Sequence, residues 1–193
     1  MDKKLAKIIR PSLLLVGALV CQQANAVEIN VSPLAILSGE FAPTLLFDVG
    51  DENFRAGPVF GYSNSNGEVS RDSSIYNGEV SSLLVGAAME YNSKGYNQSG
   101  LYGALNFVYS YGTLKFGDDS LACEIESNVF NTAATTGYAW RFTNGLSVKL
   151  GGGIGAGFAG DNSGECSDGD QYSASSSGID AGIKIDASFG FSL

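Results

Sequence analysis

The chain has no histidine among its 193 residues, and only three cysteines, two methionines and one tryptophan. Without histidine there is no His-dependent triad, no imidazole metal ligand and none of the commonest general base. Positive charge is also scarce: 11 Lys+Arg stand against 20 Asp+Glu, a formal net charge of −9. An acidic chain with no basic patch is a poor partner for nucleic acid. Charged residues make up only 16 % of the sequence and hydrophobic ones 44 %, too apolar a balance for a disordered chain. Beyond the first segment no run of ~18 apolar residues exists, so no transmembrane helix is expected.

Residues 1–26 read as a secretory signal peptide. Lys3, Lys4, Lys7 and Arg10 form its positive end, and residues 13–20 its apolar stretch. Ala24, Asn25 and Ala26 give the small-x-small pattern that precedes a cut, which leaves Val27 as the new first residue. Removing this segment leaves 19 acidic and 7 basic residues in 167, and one domain spanning 27–193. Of the cysteines, Cys123 and Cys166 then remain. An even pair in an exported chain is expected to form a disulfide.

What the rest of the sequence has in abundance is period two. In residues 181–193 the odd positions are Ala181, Ile183, Ile185, Ala187, Phe189, Phe191 and Leu193, while the even ones are small or polar. The same alternation marks 41–49, 54–62, 81–91, 101–111, 130–142 and 146–158, with 28–37 supplying an eighth strand. Short turns are expected at 51–53, 92–99 and 143–145, and longer polar loops at 64–74, 117–126 and 161–177. Short connections at one end and long ones at the other describe a membrane barrel, with the last strand finishing on the short-turn, periplasmic side. A soluble exported β-sandwich that binds a ligand also alternates. It would need bulky residues on the inner face, whereas here one face is Gly, Ser, Ala, Thr and Asn and the other is apolar with aromatics toward both strand ends. The expected fold is therefore all-β: a closed, up-and-down, antiparallel transmembrane β-barrel of eight strands, closed because lipid tolerates no free sheet edge.

With its signal segment, its alternating strands and the closing residues 187–193, the chain resembles the small eight-stranded outer-membrane barrels, the OmpA-like, OmpX-like and OmpW-like group. The resemblance implies location in the cell outer membrane, contact with its lipid, and handling by a barrel-assembly machinery. That machinery would read Phe189, Phe191 and Leu193 as the C-terminal assembly signal. Such strands usually end in Phe or Trp, and Leu193 departs from that. The enzymes of this class, lipid A acyltransferases, deacylases and omptin-type proteases, use an essential histidine, so no enzyme is expected here. The group's functions otherwise range over structural, adhesive and passive-transport roles.

Three sets of residues stand out. Asp48, Arg55, Glu90, Arg141, Lys149, Lys184 and Asp186 share the small-residue face, each in the periplasmic half of its strand. Paired, they would plug the lumen with ion pairs; as a constriction, they would filter solutes through a narrow porin-like channel. Gly151, Gly153, Gly155 and Gly157 form a row on one strand, making room for bulky neighbours, for curvature, or for a water path. Residues 155–160 match a dinucleotide fingerprint by letter, but no helix follows and no βαβ unit surrounds them. Asp118, Asp119, Glu124 and Glu126 in one long loop, and Asp161, Glu165, Asp168 and Asp170 in another, make an acidic surface. The spacing fits no Ca²⁺ loop, so neither metal nor cofactor is expected. These loops, stapled by Cys123 and Cys166, are where an extracellular ligand would bind. The leading reading is a non-enzymatic structural or surface-interaction protein.

Overall fold

The computed structural model describes residues 27–71, 74–117, 122–167, 169–175 and 178–193; residues 1–26, with the expected signal peptide, lie outside them. So do Asp118, Asp119 and Asp168. The described residues form eleven strands and one short helix: β1 (Val27–Val31), α1 (Pro33–Leu37), β2 (Glu40–Phe41), β3 (Thr44–Val49), β4 (Asp51–Arg71), β5 (Ser74–Asn92), β6 (Gly100–Gly117), β7 (Ala122–Arg141), β8 (Leu146–Ala159), β9 (Asp161–Cys166), β10 (Gln171–Ser175) and β11 (Ile179–Ser192).

Eight of these strands close a ring. Antiparallel ladders join β1 to β3, then each neighbour through β4, β5, β6, β7, β8 and β11, and β11 returns to β1. One circuit of the ladder measures the stagger. Asn30 faces Thr44, then Val59, Gly86, Val108, Asn131, Gly157 and Asp180 in turn. Directly across the last seam, however, Asn30 faces Gly190. The offset from Asp180 to Gly190 is ten residues, which for eight strands corresponds to a tilt of roughly 40–45°.

The outer surface is apolar. Phe60, Leu83, Leu101, Leu105, Leu150, Ile154, Ile183 and Ile185 are exposed, with Tyr62, Tyr109, Tyr111, Phe130 and Phe158 toward one end and Tyr91, Trp140, Phe142, Phe189 and Phe191 toward the other. Facing water, such a belt would be a large liability; facing lipid, it is the required surface. Alternation puts Phe47 on this outer face too, but it is buried.

Three expectations are corrected. The first strand does not run over 28–37. β1 stops at Val31, because the next position in the hydrogen-bonded register, opposite Ala187, is Pro33, which has no N–H to give. Continued alternation would also drive Leu34 and Ile36 into the lumen beside Asp186 and Lys184. The chain turns into α1 instead, with Ser32 as its N-cap, accepting from the Ala35 N–H at 3.3 Å. The strand expected over 41–49 is split into β2 and β3, both paired to β4. Lastly, much of what reads as long loops is strand. β4 to β7 are 18 to 21 residues long, about twice the ~10 needed to cross a bilayer. They continue as a sheet beyond the apolar belt, with the β9–β10 hairpin added to the β7 edge. Above the lipid both faces of a strand meet water, so the two-residue pattern that marks a half-buried strand disappears.

The short connections lie at the opposite end, with the two ends of the ring. Gly50 and Gly145 take positive φ angles of 77° and 84° to make tight turns there.

Candidate functional site

At the short-turn end of the lumen the inward side chains form a layer of charge. Asp48, Arg55 and Glu90 occupy one cross-strand row on β3, β4 and β5. The strand tilt brings Arg141 of β7 and Lys149 of β8 to the same level. At the centre is Glu28 of β1, with no exposed surface. Glu28 accepts from Arg55 Nη1 at 2.6 Å, from Lys149 Nζ at 2.8 Å, from Ser147 Oγ at 3.2 Å, and from Arg141 Nη1. Lys149 Nζ also reaches Glu90 at 2.6 Å, Arg141 Nη2 reaches Glu90 at 3.5 Å, and Arg55 Nε donates to Asp48 at 2.5 Å. Three carboxylates and three cations thus neutralise one another. Removed from bulk water, each charge depends on the others, because an unpaired one would bear its full desolvation cost.

Tyr96 caps this layer from below. It belongs to the turn joining β5 and β6, is 4 % exposed, and lies under the guanidinium groups of Arg55 (3.9 Å to the ring centre) and Arg141 (5.0 Å). Its hydroxyl donates to the carbonyl of Glu90, and its backbone N–H to that of Glu52 at 3.0 Å. Burial, then the Glu90 carboxylate, push the phenol pKa well above its ordinary value, so the ring stays neutral.

Above the charges, one side of the lumen is apolar: Leu46, Val59 and Ala88 pack with Ala42 and Val108. The other side carries the glycine row. A Cβ at Gly151 would strike the backbone of Thr136 and come within 2.6 Å of the Tyr102 hydroxyl; one at Gly153 would strike Ala134. Gly151 therefore leaves room for Tyr102 to cross the lumen and donate to Asp186 at 2.6 Å. Gly155 and Gly157 are less crowded, their nearest atoms at 3.3 and 3.0 Å.

Of the seven lumen charges expected, five meet in the layer. Asp186 stands apart, bonded to Tyr102 and to Thr135 Oγ1 at 3.4 Å, and Lys184 is exposed and outside the layer. The sequence reading missed Glu28 and Tyr96. The alternation of Val27, Glu28, Ile29, Asn30 and Val31 carried the first; no pattern marks the second.

Cys123 and Cys166 form a disulfide, but on paired strands, β7 and β9, rather than between loops. They pack with Phe116, Tyr76, Leu114 and Ile125. Just beside them a cavity of about 960 Å³ opens between Glu68, Glu79, Lys115, Glu124 and Glu165. Phe189, Phe191 and Leu193 point outward and are exposed.

No family model matches the chain, and no curated protein does. Solved structures that the chain is similar to include two outer membrane proteins. A major outer membrane protein from Thermus thermophilus shares 11 % identity over 87 % of this chain and 98 % of that one, with a TM-score of 0.55. The outer membrane protease OmpT from Escherichia coli shares 14 % identity over 80 % of this chain and 63 % of that one, with a TM-score of 0.39. The closed ring, the apolar belt and the first of these likenesses agree: this chain has the fold of an outer-membrane β-barrel.

Proposed function

We propose that this chain is a non-enzymatic barrel of the outer membrane whose lumen is permanently closed, and which acts through its structure and its extracellular sheet rather than by transport. The observation that carries this reading is the neutral layer around Glu28, capped by Tyr96. It leaves no open charge to draw a solute ion inward, and its pairs would all have to separate for one to pass. The absence of histidine supports the non-enzymatic part. Above the membrane, Asn66, Glu79, Lys115, Glu124 and Glu165 form one transverse row across five strands, an acidic face for a cationic or polar surface partner.

Planar-bilayer conductance of the refolded barrel, disulfide intact, is the direct test. The parent should be silent. Discrete, reproducible steps from a correctly folded sample would overturn the closed-lumen reading in favour of a narrow channel. Tyr96→Ala removes the ring beneath Arg55 and Arg141 and loosens the ion pairs those residues make, so brief openings are expected from that variant.

A further inference from the structure

Among the described residues, the barrel wall has a seam without a ladder. β11 is paired with β8 from Ile179, opposite Phe158, to Phe191, opposite Leu146. On its other edge, β1 faces only Phe189 to Ser192. The Leu193 N–H donates to Val27 and the Ser192 N–H to Gly145, so odd-numbered residues of β11 direct their backbone groups toward the β1 side. That alternation points the N–H and C=O groups of Ala181, Ile183, Ile185 and Ala187 into the seam, where no strand among the described residues meets them. α1 lies along the seam, but it satisfies its own backbone: Ile36 N–H to Ser32 and Ser38 N–H to Leu34, both at 3.2 Å. Pro33 prevents β1 from growing to fill the space. The opening is thus written into the sequence.

Backbone left unpaired at membrane depth persists only where protein covers it or where it borders a polar cavity. Here both faces of β11 are open. Outside, Ile183 is 91 % exposed, with Ile185 exposed beside it. Inside, a Cβ on Gly182 would meet nothing within 4 Å. Next to it Lys184 is exposed and has no ion pair among the described residues, while its neighbour Asp186 is already held by Tyr102 and Thr135.

We infer that this seam binds a membrane amphiphile with one acyl chain and an anionic head. The chain lies against the exposed Ile183 and Ile185. The head passes through the wall to the ammonium of Lys184 and accepts hydrogen bonds from the free N–H groups of the seam. The site rests on the membrane placement proposed above, though not on the closed lumen.

Native mass spectrometry in a neutral detergent tests it, with oleate as probe and oleyl alcohol as the uncharged comparison. One oleate per barrel is expected, bound about tenfold more tightly than the alcohol, a difference of about 1.4 kcal/mol. Lys184→Gln should remove that preference and leave alcohol binding unchanged. Gly182→Phe, placed in free space, should block both probes. Neither residue touches the charge layer, so both variants should keep the heat-dependent gel shift of a folded barrel. A folded parent that takes up no oleate one-to-one, or variants that bind as the parent does, overturns the site. A parent that is soluble without detergent and shows no heat-dependent shift overturns the membrane placement, and the site with it.

Discussion

Glu28 is the residue on which the interior depends most. It holds Arg55, Arg141 and Lys149 together, so Glu28→Ala would leave three cations at close quarters with only Glu90 and Asp48. Breaking a buried pair of this kind costs about 3–5 kcal/mol, and urea unfolding followed by the heat-dependent gel shift should show a loss of that order. Gly190 guards the same group. A Cβ there would lie 2.7 Å from Glu28 Oε1 and would strike Asn30 and Ser147 as well. Gly190→Ala should therefore cost about 1–3 kcal/mol by overpacking, whereas Gly182→Ala, with free space around it, should be neutral in the same assay. Period two alone makes Arg55, Glu90, Arg141 and Lys149 legible as inward residues, since one strand face is shared by alternate positions. Glu28 obeys the same parity. Tyr96 does not, because a turn has no periodic face and its ring is placed by two guanidinium groups that come from strands far away in sequence.

Among the elements, legibility followed the solvent. Strands with lipid on one side and the lumen on the other alternate, and those stand where the pattern puts them. The upper halves of β4 to β7 face water on both sides and read as loops. α1 is a different case: Leu34, Ala35, Ile36 and Leu37 break the alternation, which already marks the end of β1, and Pro33 explains it. The disulfide belongs to this scale. It ties the β9–β10 hairpin to β7 above the apolar belt, outside the closed ring. Replacing Cys123 and Cys166 together by Ser should leave the barrel folded and detergent-stable. The expected change is local: faster proteolytic cleavage between residues 160 and 178, read by mass spectrometry of the fragments, while the ring resists.

Taken whole, the molecule inverts the usual soluble arrangement, with charge inside and apolar surface outside. Its extraction should need detergent and should not respond to high salt, because the belt, not surface charge, holds it in the lipid. A salt wash that releases the protein would exclude the barrel reading. The long ladders also carry it well past the bilayer. A strand of 21 residues, tilted as here, rises about 50 Å, against an apolar band about 25 Å tall. The far ends of β4 and β5 therefore stand clear of the lipid headgroups.

The five residues of β1 have a further consequence, for how the molecule can fold. Asn30 must pair with Thr44 on one side and with Gly190 on the other, so the contact that closes the ring joins residues 160 positions apart. Nothing shorter can substitute for it. Until β11 is delivered, the growing sheet is an open ribbon with two free edges, and the ion pairs to Glu28 that need Arg141 and Lys149 cannot yet settle into place. Loop-closure entropy is spent before those contacts return anything. Closure of the ring is therefore expected to come late and slowly, with the smallest strand of the ring acting as the clasp.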